Sequence, residues 1–194
     1  MPVKLLVGLG NPGSQYRGTR HNVGADFVEE LAHKHGCTLQ PESRFFGMTG
    51  RITASGHDLR LLVPTTFMNL SGKAVGAMAG FFKLAPEEIL VAHDELDIPP
   101  GNARFKSGGG HGGHNGLRDI IPALGNNRDF LRLRIGIGHP GSAAQVTGYV
   151  LGAPSTADRA RMDASIDAAI AALPLLLEGK LTRAMTQLHS FHAP

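Results

Sequence analysis

VGLGNPGSQYRGTRHN, running from Val7 to Asn22, is the stretch whose reading decides the fold. It begins inside a continuous apolar run, Val3 to Leu9, broken only by Lys4 and bounded by glycine. That is the pattern of a strand covered on both faces. After the glycine turn, Phe27, Val28 and Leu31 recur at helical spacing from Val23 to His35, with Asn22 as the expected cap and Gly36 as the stop. A strand, a turn and a helix therefore surround His21, which Arg20 and Asn22 flank. Polar side chains at the carboxyl end of a buried strand stand where ligands bind in open α/β sheets.

Working outward, Gly47 to Ala54 and Asp58 to Val63 read as a hairpin joined by Ser55-Gly56-His57, which makes the sheet mixed. PTTFMN then leads into a helix from Ser71 to Phe82, with Ser71 as its cap. Ile89 to Ala92 is a second short buried strand, and HDELDIPPG follows it, where carboxylates and two prolines stop the sheet. Asn102 to Lys106 alternates as a half-buried strand, with Arg104 and Lys106 on one face and Phe105 on the other. SGGGHGGHNG reads as loop, and a short helix from Leu117 to Leu124, interrupted by Pro122, comes after it. Phe130 to Ile137 sets Arg132 and Arg134 against Leu131, Leu133 and Ile135, a further strand with a cationic face. An alanine-rich helix from about Thr156, broken near Pro174, and a last helix from Leu181 to His189 complete the chain. This alternation predicts an α/β fold: one domain over residues 1–194, built on a twisted, mixed, mostly parallel β-sheet flanked by helices.

Composition narrows the class. The chain has 194 residues, of which 42% are hydrophobic and 18% charged, and these values fit one ordinary globular core. A net charge of +3 permits a nucleic-acid partner without demanding one. The single cysteine, Cys37, excludes an internal disulfide framework and fits a reducing compartment, with Cys37 itself read as a small core residue. No window reaches the roughly 18 apolar residues of a membrane span. The expectation is a cytoplasmic protein with no membrane partner.

Gly8-Leu9-Gly10-Asn11-Pro12-Gly13 matches the dinucleotide-binding pattern G-x-G-x-x-G literally. Pro12 removes a backbone donor, and the helix starts too late for its N-terminus to hold a pyrophosphate. The loop is read instead as shaping the rim of a site. His21 is the candidate base, because an imidazole titrates nearest neutrality. Asp94, in His93-Asp94-Glu95 after the second strand, is the candidate group that orients it. No serine stands in G-x-S-x-G, so the simplest chemistry for a base without a nucleophile is attack by activated water.

His111 and His114, with Asp94 or His139, could also supply metal ligands by type, although the glycine-rich backbone around them suits an oxyanion or phosphate better. Asn69 and Asn115 add loop amides that donate and accept at once. Arg104, Lys106, Arg132 and Arg134 form a cationic patch if their strands face the same way. Phe67, Met68 and Tyr16 near the rim could stack on a base or ribose. On residues alone, a non-catalytic nucleic-acid- or nucleotide-binding module and a metal-dependent phosphodiesterase stay open beside a hydrolase.

Taken together, VGLGNPG, TRHN, FFG, LLVPTTFMNLSGKAV, ILVAHDELDIPPG, FKSGGGHGGHNGL, RLRIGIGHPG and the LH-F tail closely resemble the bacterial-type peptidyl-tRNA hydrolases, in order and over nearly the whole chain. The resemblance implies a monomeric cytosolic enzyme, without cofactor, metal or stable protein partner, that cleaves the ester between a peptide and the terminal ribose of tRNA. It implies that His21 activates water, that Asp94 orients and stabilises His21, and that Asn11 recognises substrate and helps reject aminoacyl-tRNA with a free amine. Asn69 and Asn115 are then expected to hold the peptide, the tRNA end and the catalytic water, with Tyr16 and Phe67 lining the site. Met68, Gly112 and His114 complete the expected substrate contacts. Lys106 with Arg134 matches the family's clamp on the tRNA 5′-phosphate, and Arg104 stands where the family often has lysine. The segment from Gly136 to Leu151 and the last helix are expected to flank the cleft.

Overall fold

The computed structural model describes residues 2–194. Its elements, in chain order, are β1 (Leu5–Gly8), α1 (Val23–Lys34), β2 (Gln40–Glu42), β3 (Gly47–Ala54), β4 (His57–Pro64), α2 (Ser71–Phe81), β5 (Ile89–Glu95), β6 (Ala103–Ser107), α3 (Asn115–Ala123), β7 (Leu131–Gly136), α4 (Val146–Val150), α5 (Thr156–Leu177) and α6 (Leu181–His189). Seven strands form one sheet in the order β2-β3-β4-β1-β5-β7-β6. The central four, β4-β1-β5-β7, run parallel, and β2, β3 and β6 are antiparallel additions at the two edges. The expected α/β domain with a mixed, mostly parallel sheet is what forms.

Side-chain alternation along the central strands divides the core in two. Leu6, Leu90 and Leu133 pack with Phe27, Leu31 and the inner faces of α5 and α6. Leu5, Val7, Ile89 and Val91 pack on the other side with Val75, Met78, Leu117 and Ile120 of α2 and α3. A parallel strand needs cover on both faces, and this accounts for the unbroken apolar run of β1, whose four residues are all buried.

The parallel arrangement brings the carboxyl ends of β4, β1, β5 and β7 to one edge. Gly8 stands opposite Ala92 in register, and Leu9 N donates to Ala92 O at 3.1 Å, so the turn after β1 and the end of β5 lie side by side. Helix α1 sits very close to both strands. A Cβ on Gly24 would collide with the carbonyl of Ala92, so only glycine lets the helix start reach β5.

Several local expectations are corrected. Asn22 makes no capping bond to α1; its amide is spent on the backbone of Asn11. Ser71 is the first helical residue of α2 rather than its cap, and Asp119 Oδ2 accepts from Gly72 N at 2.7 Å in its place. The hairpin turn is two residues, Ser55 and Gly56, both at positive φ, and His57 already belongs to β4. Strand β5 runs on through Asp94 because β7 pairs with it as far as Glu95. Helix α3 starts at Asn115, two residues earlier than the spacing predicts, because the His114 side chain caps it. Pro122 sits in its last turn and does not interrupt it. Pro174 does not break α5 either: the buried Ala172, Leu173, Leu176 and Leu177 hold the last turn in the core. The three-residue strand β2, with Pro41 at the sheet edge, carried no readable signal. Cys37 lies half-buried against the core as expected. Among the described residues no helix is long and apolar enough to cross a membrane.

Candidate active site

A cleft of about 1170 Å³ opens over the carboxyl ends of the central strands. His21 is delivered to it by a 3₁₀ turn, Arg20–Asn22, between the glycine loop and α1. Asp94 is delivered by the end of β5. Both are buried, and His21 Nδ1 lies 3.0 and 2.9 Å from the two carboxylate oxygens of Asp94. A second imidazole reaches the same carboxylate: His114 Nε2 is 2.7 Å from Asp94 Oδ1.

The proton positions follow from the remaining contacts. His114 Nδ1 accepts from the backbone N–H of Gly116 at 3.1 Å and of Leu117 at 3.4 Å, at the start of α3. Its proton must therefore sit on Nε2 and be donated to Asp94. His21 donates Nδ1–H to Asp94, which leaves its Nε2 lone pair for the cleft. Burial alone would lower the His21 pKa, but the charge of Asp94 and its hydrogen bond outweigh burial and raise it above the ordinary imidazole value. Burial likewise opposes the charge on Asp94, yet His114 and His21 with their hydrogen bonds hold its carboxyl well below the usual range. Asp94 is thus a fixed anion serving two imidazoles, of which one keeps a basic nitrogen.

His21, Asp94 and His114 are close enough together to be read as a metal set. The backbone bonds to His114 Nδ1 make its Nε2 a donor, however, and a protonated nitrogen is not a ligand. His139, the other ligand considered with His111 and His114, is exposed and outside the cleft lining; its Nδ1 accepts from Gly141 N.

The amides are held as firmly. Asn11 Oδ1 accepts from Met68 N at 2.7 Å, while Asn22 receives the Asn11 N–H at 2.9 Å and donates to the Asn11 carbonyl at 3.0 Å. With its oxygen engaged, Asn11 keeps its NH₂ for a ligand. Asn115 Oδ1 accepts from Arg118 at 2.8 Å, with the same consequence. Asn69 and Phe67 are exposed on the rim, Met68 is buried beneath it, and Gly112 lies in the facing loop; all four line the cleft. Tyr16 is not part of the lining and meets it through Phe67, edge-on at 6.4 Å between ring centres.

The cationic strands do face the same way, because antiparallel pairing sets Arg104 opposite Arg134 and Lys106 opposite Arg132. Their environments differ. Arg132 is buried, its guanidinium bound to the carbonyls of Gly109, Gly110 and Arg128, so it pins the glycine loop and offers nothing to a phosphate. Arg134 lines the cleft with its Nε on Glu95 Oε1 at 2.9 Å, and Lys106 lines it exposed. Arg104 is exposed and outside the lining. Nothing in the strand pattern distinguishes Arg132 from its neighbours, and its burial comes from the loop folding over it.

Three further features escaped the sequence reading. Glu95 orients Arg134. Asn22 serves Asn11 rather than a helix. His93 is fully enclosed beside His114, its Nδ1 donating to Asp94 O at 2.8 Å, and burial drives its pKa down to about 4, so it stays neutral. The expected flanking segment is in place, with Val146, Thr147, Val150 and Leu151 on the cleft. Arg20 Nη1 ties it to the His21 turn by donating to Tyr149 O at 2.9 Å. The last helix, α6, also expected there, lines none of the cleft and packs instead on α5 and β6.

Comparison with known proteins agrees with this geometry. The peptidyl-tRNA hydrolase family model matches residues 5–194. A peptidyl-tRNA hydrolase of Vibrio parahaemolyticus is 60% identical over 192 residues, 99% of this chain and 98% of its own. One from Shewanella halifaxensis is 61% identical over 191 residues, covering 98% of each. The crystal structure of peptidyl-tRNA hydrolase from Acinetobacter baumannii superposes with a TM-score of 0.95 at 52% identity, over 98% of this chain and 96% of that one. The chain belongs to the peptidyl-tRNA hydrolase family.

Proposed function

We propose that this cleft hydrolyses the ester of peptidyl-tRNA by attack of a water activated at His21 Nε2, with no covalent intermediate. The hydrolase activity follows from family membership; the mechanism rests above all on one observation, that His21 is the imidazole on Asp94 with a free nitrogen. In the attacking step Nε2 takes a proton from water while the water oxygen adds to the ester carbonyl. The carbonyl electrons move onto its oxygen. Asp94, already an anion, stabilises the imidazolium that forms. Collapse of the tetrahedral species expels the ribose oxygen, which takes the proton back from His21. The products are a free peptide acid and tRNA.

The NH₂ groups of Asn11 and Asn115 are suited to the developing oxyanion and to the peptide carbonyl, because their oxygens are already engaged. Asn69, Met68 and Gly112 would add substrate contacts, and Tyr16 would support Phe67 from behind. Lys106 and Arg134 are assigned to the tRNA 5′-phosphate, Arg134 being held in place by Glu95. Arg104 adds long-range charge to that side. His114 is assigned to positioning Asp94. We assign the enzyme to the cytoplasm, as a one-domain monomer that returns tRNA for recycling.

The test is release of N-acetylated amino acid from its tRNA ester with chelator present. Wild-type protein should turn over, and His21→Ala should lose roughly 10²–10⁴-fold in kcat. Undiminished turnover in that variant removes His21 from its role.

A further inference from the structure

Among the described residues, five large hydrophobic side chains are exposed: Phe46, Phe67, Leu70, Phe81 and Leu151. Leu151 lines the cleft. The other four lie around α2, Phe67 and Leu70 ahead of it, Phe46 beside its Lys73 and Phe81 at its end. Phe67 stands on the rim, and Leu70 closes the turn that leads into α2. Phe46 is attached to the same loop, since Thr65 N donates to its carbonyl at 2.9 Å. Phe81 ends α2, edge-on to Phe45 at 5.4 Å. Cations lie over the rings: Lys73 Nζ is 5.5 Å from the centre of Phe46, and the Arg44 guanidinium 4.7 and 4.6 Å from Phe45 and Phe81.

Phe46 closes the 3₁₀ turn Ser43–Phe45, its N–H on Ser43 O, so the turn explains the backbone but not the choice of an exposed aromatic there. Phe46 holds φ at +52°, a left-handed conformation unfavourable for a bulky aromatic, and the residue is 41% exposed. Glycine would hold that turn with less strain, and the aromatic ring is therefore the feature that asks for a use. The position in the sheet indicates the occupant. Lys106 and Arg134 belong to the β7-β6 end, and the aromatic path lies with β3, β4 and α2 at the other. With the RNA assigned to the first end and the ester to His21, the second end is the side left for the peptide.

We propose that the path from Phe67 through Phe46 to Phe81 is a docking surface for the peptide part of the substrate, beyond the residue that carries the ester. The proposal rests on the hydrolase reading above. Aromatic faces and cations meet side chains of many kinds, which suits a peptide of no fixed sequence. Phe81 is ten residues along α2 from Ser71, about 15 Å at ~1.5 Å per residue. An extended peptide covers that in about five residues at ~3.3 Å each. Phe46, bonded to the rim loop at Thr65, is therefore within reach of a shorter peptide than Phe81 at the far end of α2.

The experiment compares N-acetylaminoacyl-tRNA, tripeptidyl-tRNA and hexapeptidyl-tRNA on wild type, Phe46→Gly and Phe81→Ser. Glycine relieves the positive φ, so Phe46→Gly should melt no lower than wild type while losing the ring. Phe46→Gly should raise KM for the tripeptidyl and hexapeptidyl esters by roughly 3–10-fold and leave the one-residue ester within twofold. Phe81→Ser should raise KM for the hexapeptidyl ester alone. Equal changes at all three lengths, or none at any, overturn the proposal. Weaker binding of deacylated tRNA to either variant would assign the path to RNA and also overturn it. Wild-type turnover of the one-residue ester separates the two readings: its presence without a length effect sinks the docking surface alone, and its absence sinks the hydrolase reading first.

Discussion

His21 and His114 approach Asp94 at 2.9 and 2.7 Å, so neither residue type nor proximity separates them; their second nitrogens do. Replacing His114 by Asn removes one hydrogen bond to Asp94 and should cost kcat about tenfold, at roughly 1.5 kcal/mol for a bond to a charged group. Replacing His21 by Asn removes the base, at roughly 10²–10⁴-fold. Single-turnover rates on the same ester check that order, and a larger loss in His114→Asn would reverse the assignment. Asp94 was legible because it closes a buried run, and His21 because it ends the glycine-rich turn that follows one. The division of labour between the imidazoles was not, because it depends on where two backbone N–H groups of α3 point. Arg132 was illegible for a similar reason: a strand pattern assigns a face, and here a loop has buried one residue of that face.

At the level of elements, strands and helices followed the apolar periodicity closely, and the errors gathered at their ends. Helix ends are set by whichever polar group reaches the first free N–H, and in α2 that group is Asp119, 47 residues away. No local signal can show it. Asp119→Ala should destabilise the protein by about 1–2 kcal/mol through the uncapped start of α2, read as a lower denaturant midpoint at unchanged slope. Asp119→Asn, which keeps an acceptor oxygen, should lose less. Equal losses in the two variants would show that the bond to Gly72 carries no stability. The prolines misled in the opposite direction, since Pro122 and Pro174 both stand within the last turn of their helices, where packing outweighs a missing hydrogen bond.

Across the whole molecule, half-buried Asp26 and buried His93 give opposite pH dependences of stability. Asp26 is pushed up to about 6, by burial first and by Glu29 and Asp163 against the opposing pull of Arg159. A raised carboxylate pKa means that the folded state binds the proton more tightly, so this contribution falls as pH rises from about 4 to 6. His93, pushed down to about 4, has the reverse sign, and its contribution rises between about 4 and 6.5. Asp26→Asn removes the first slope and keeps an acceptor for Arg159. The variant should gain on wild type progressively across that window, to roughly 1–3 kcal/mol at pH 7, measured by urea unfolding. A constant difference at all pH values would place the effect elsewhere. The clamp is tested at the same scale. Lys106→Ala and Arg134→Ala should weaken tRNA binding and flatten its salt dependence while a minimal aminoacyl-nucleotide ester is cleaved nearly unchanged. Equal losses on both substrates would move these residues into the chemical step.

The most direct test of the account is the pH dependence of kcat/KM for N-acetylaminoacyl-tRNA in wild type and Asp94→Asn. Wild-type activity should fall about tenfold per pH unit below a break above 6.5, since the raised His21 pKa must be deprotonated for Nε2 to act. Without the carboxylate, the break should move to lower pH, and the plateau should drop roughly 10²–10⁴-fold as His21 loses its fixed tautomer. A break and plateau unchanged in Asp94→Asn would contradict the pairing of His21 with Asp94 as the source of the activity.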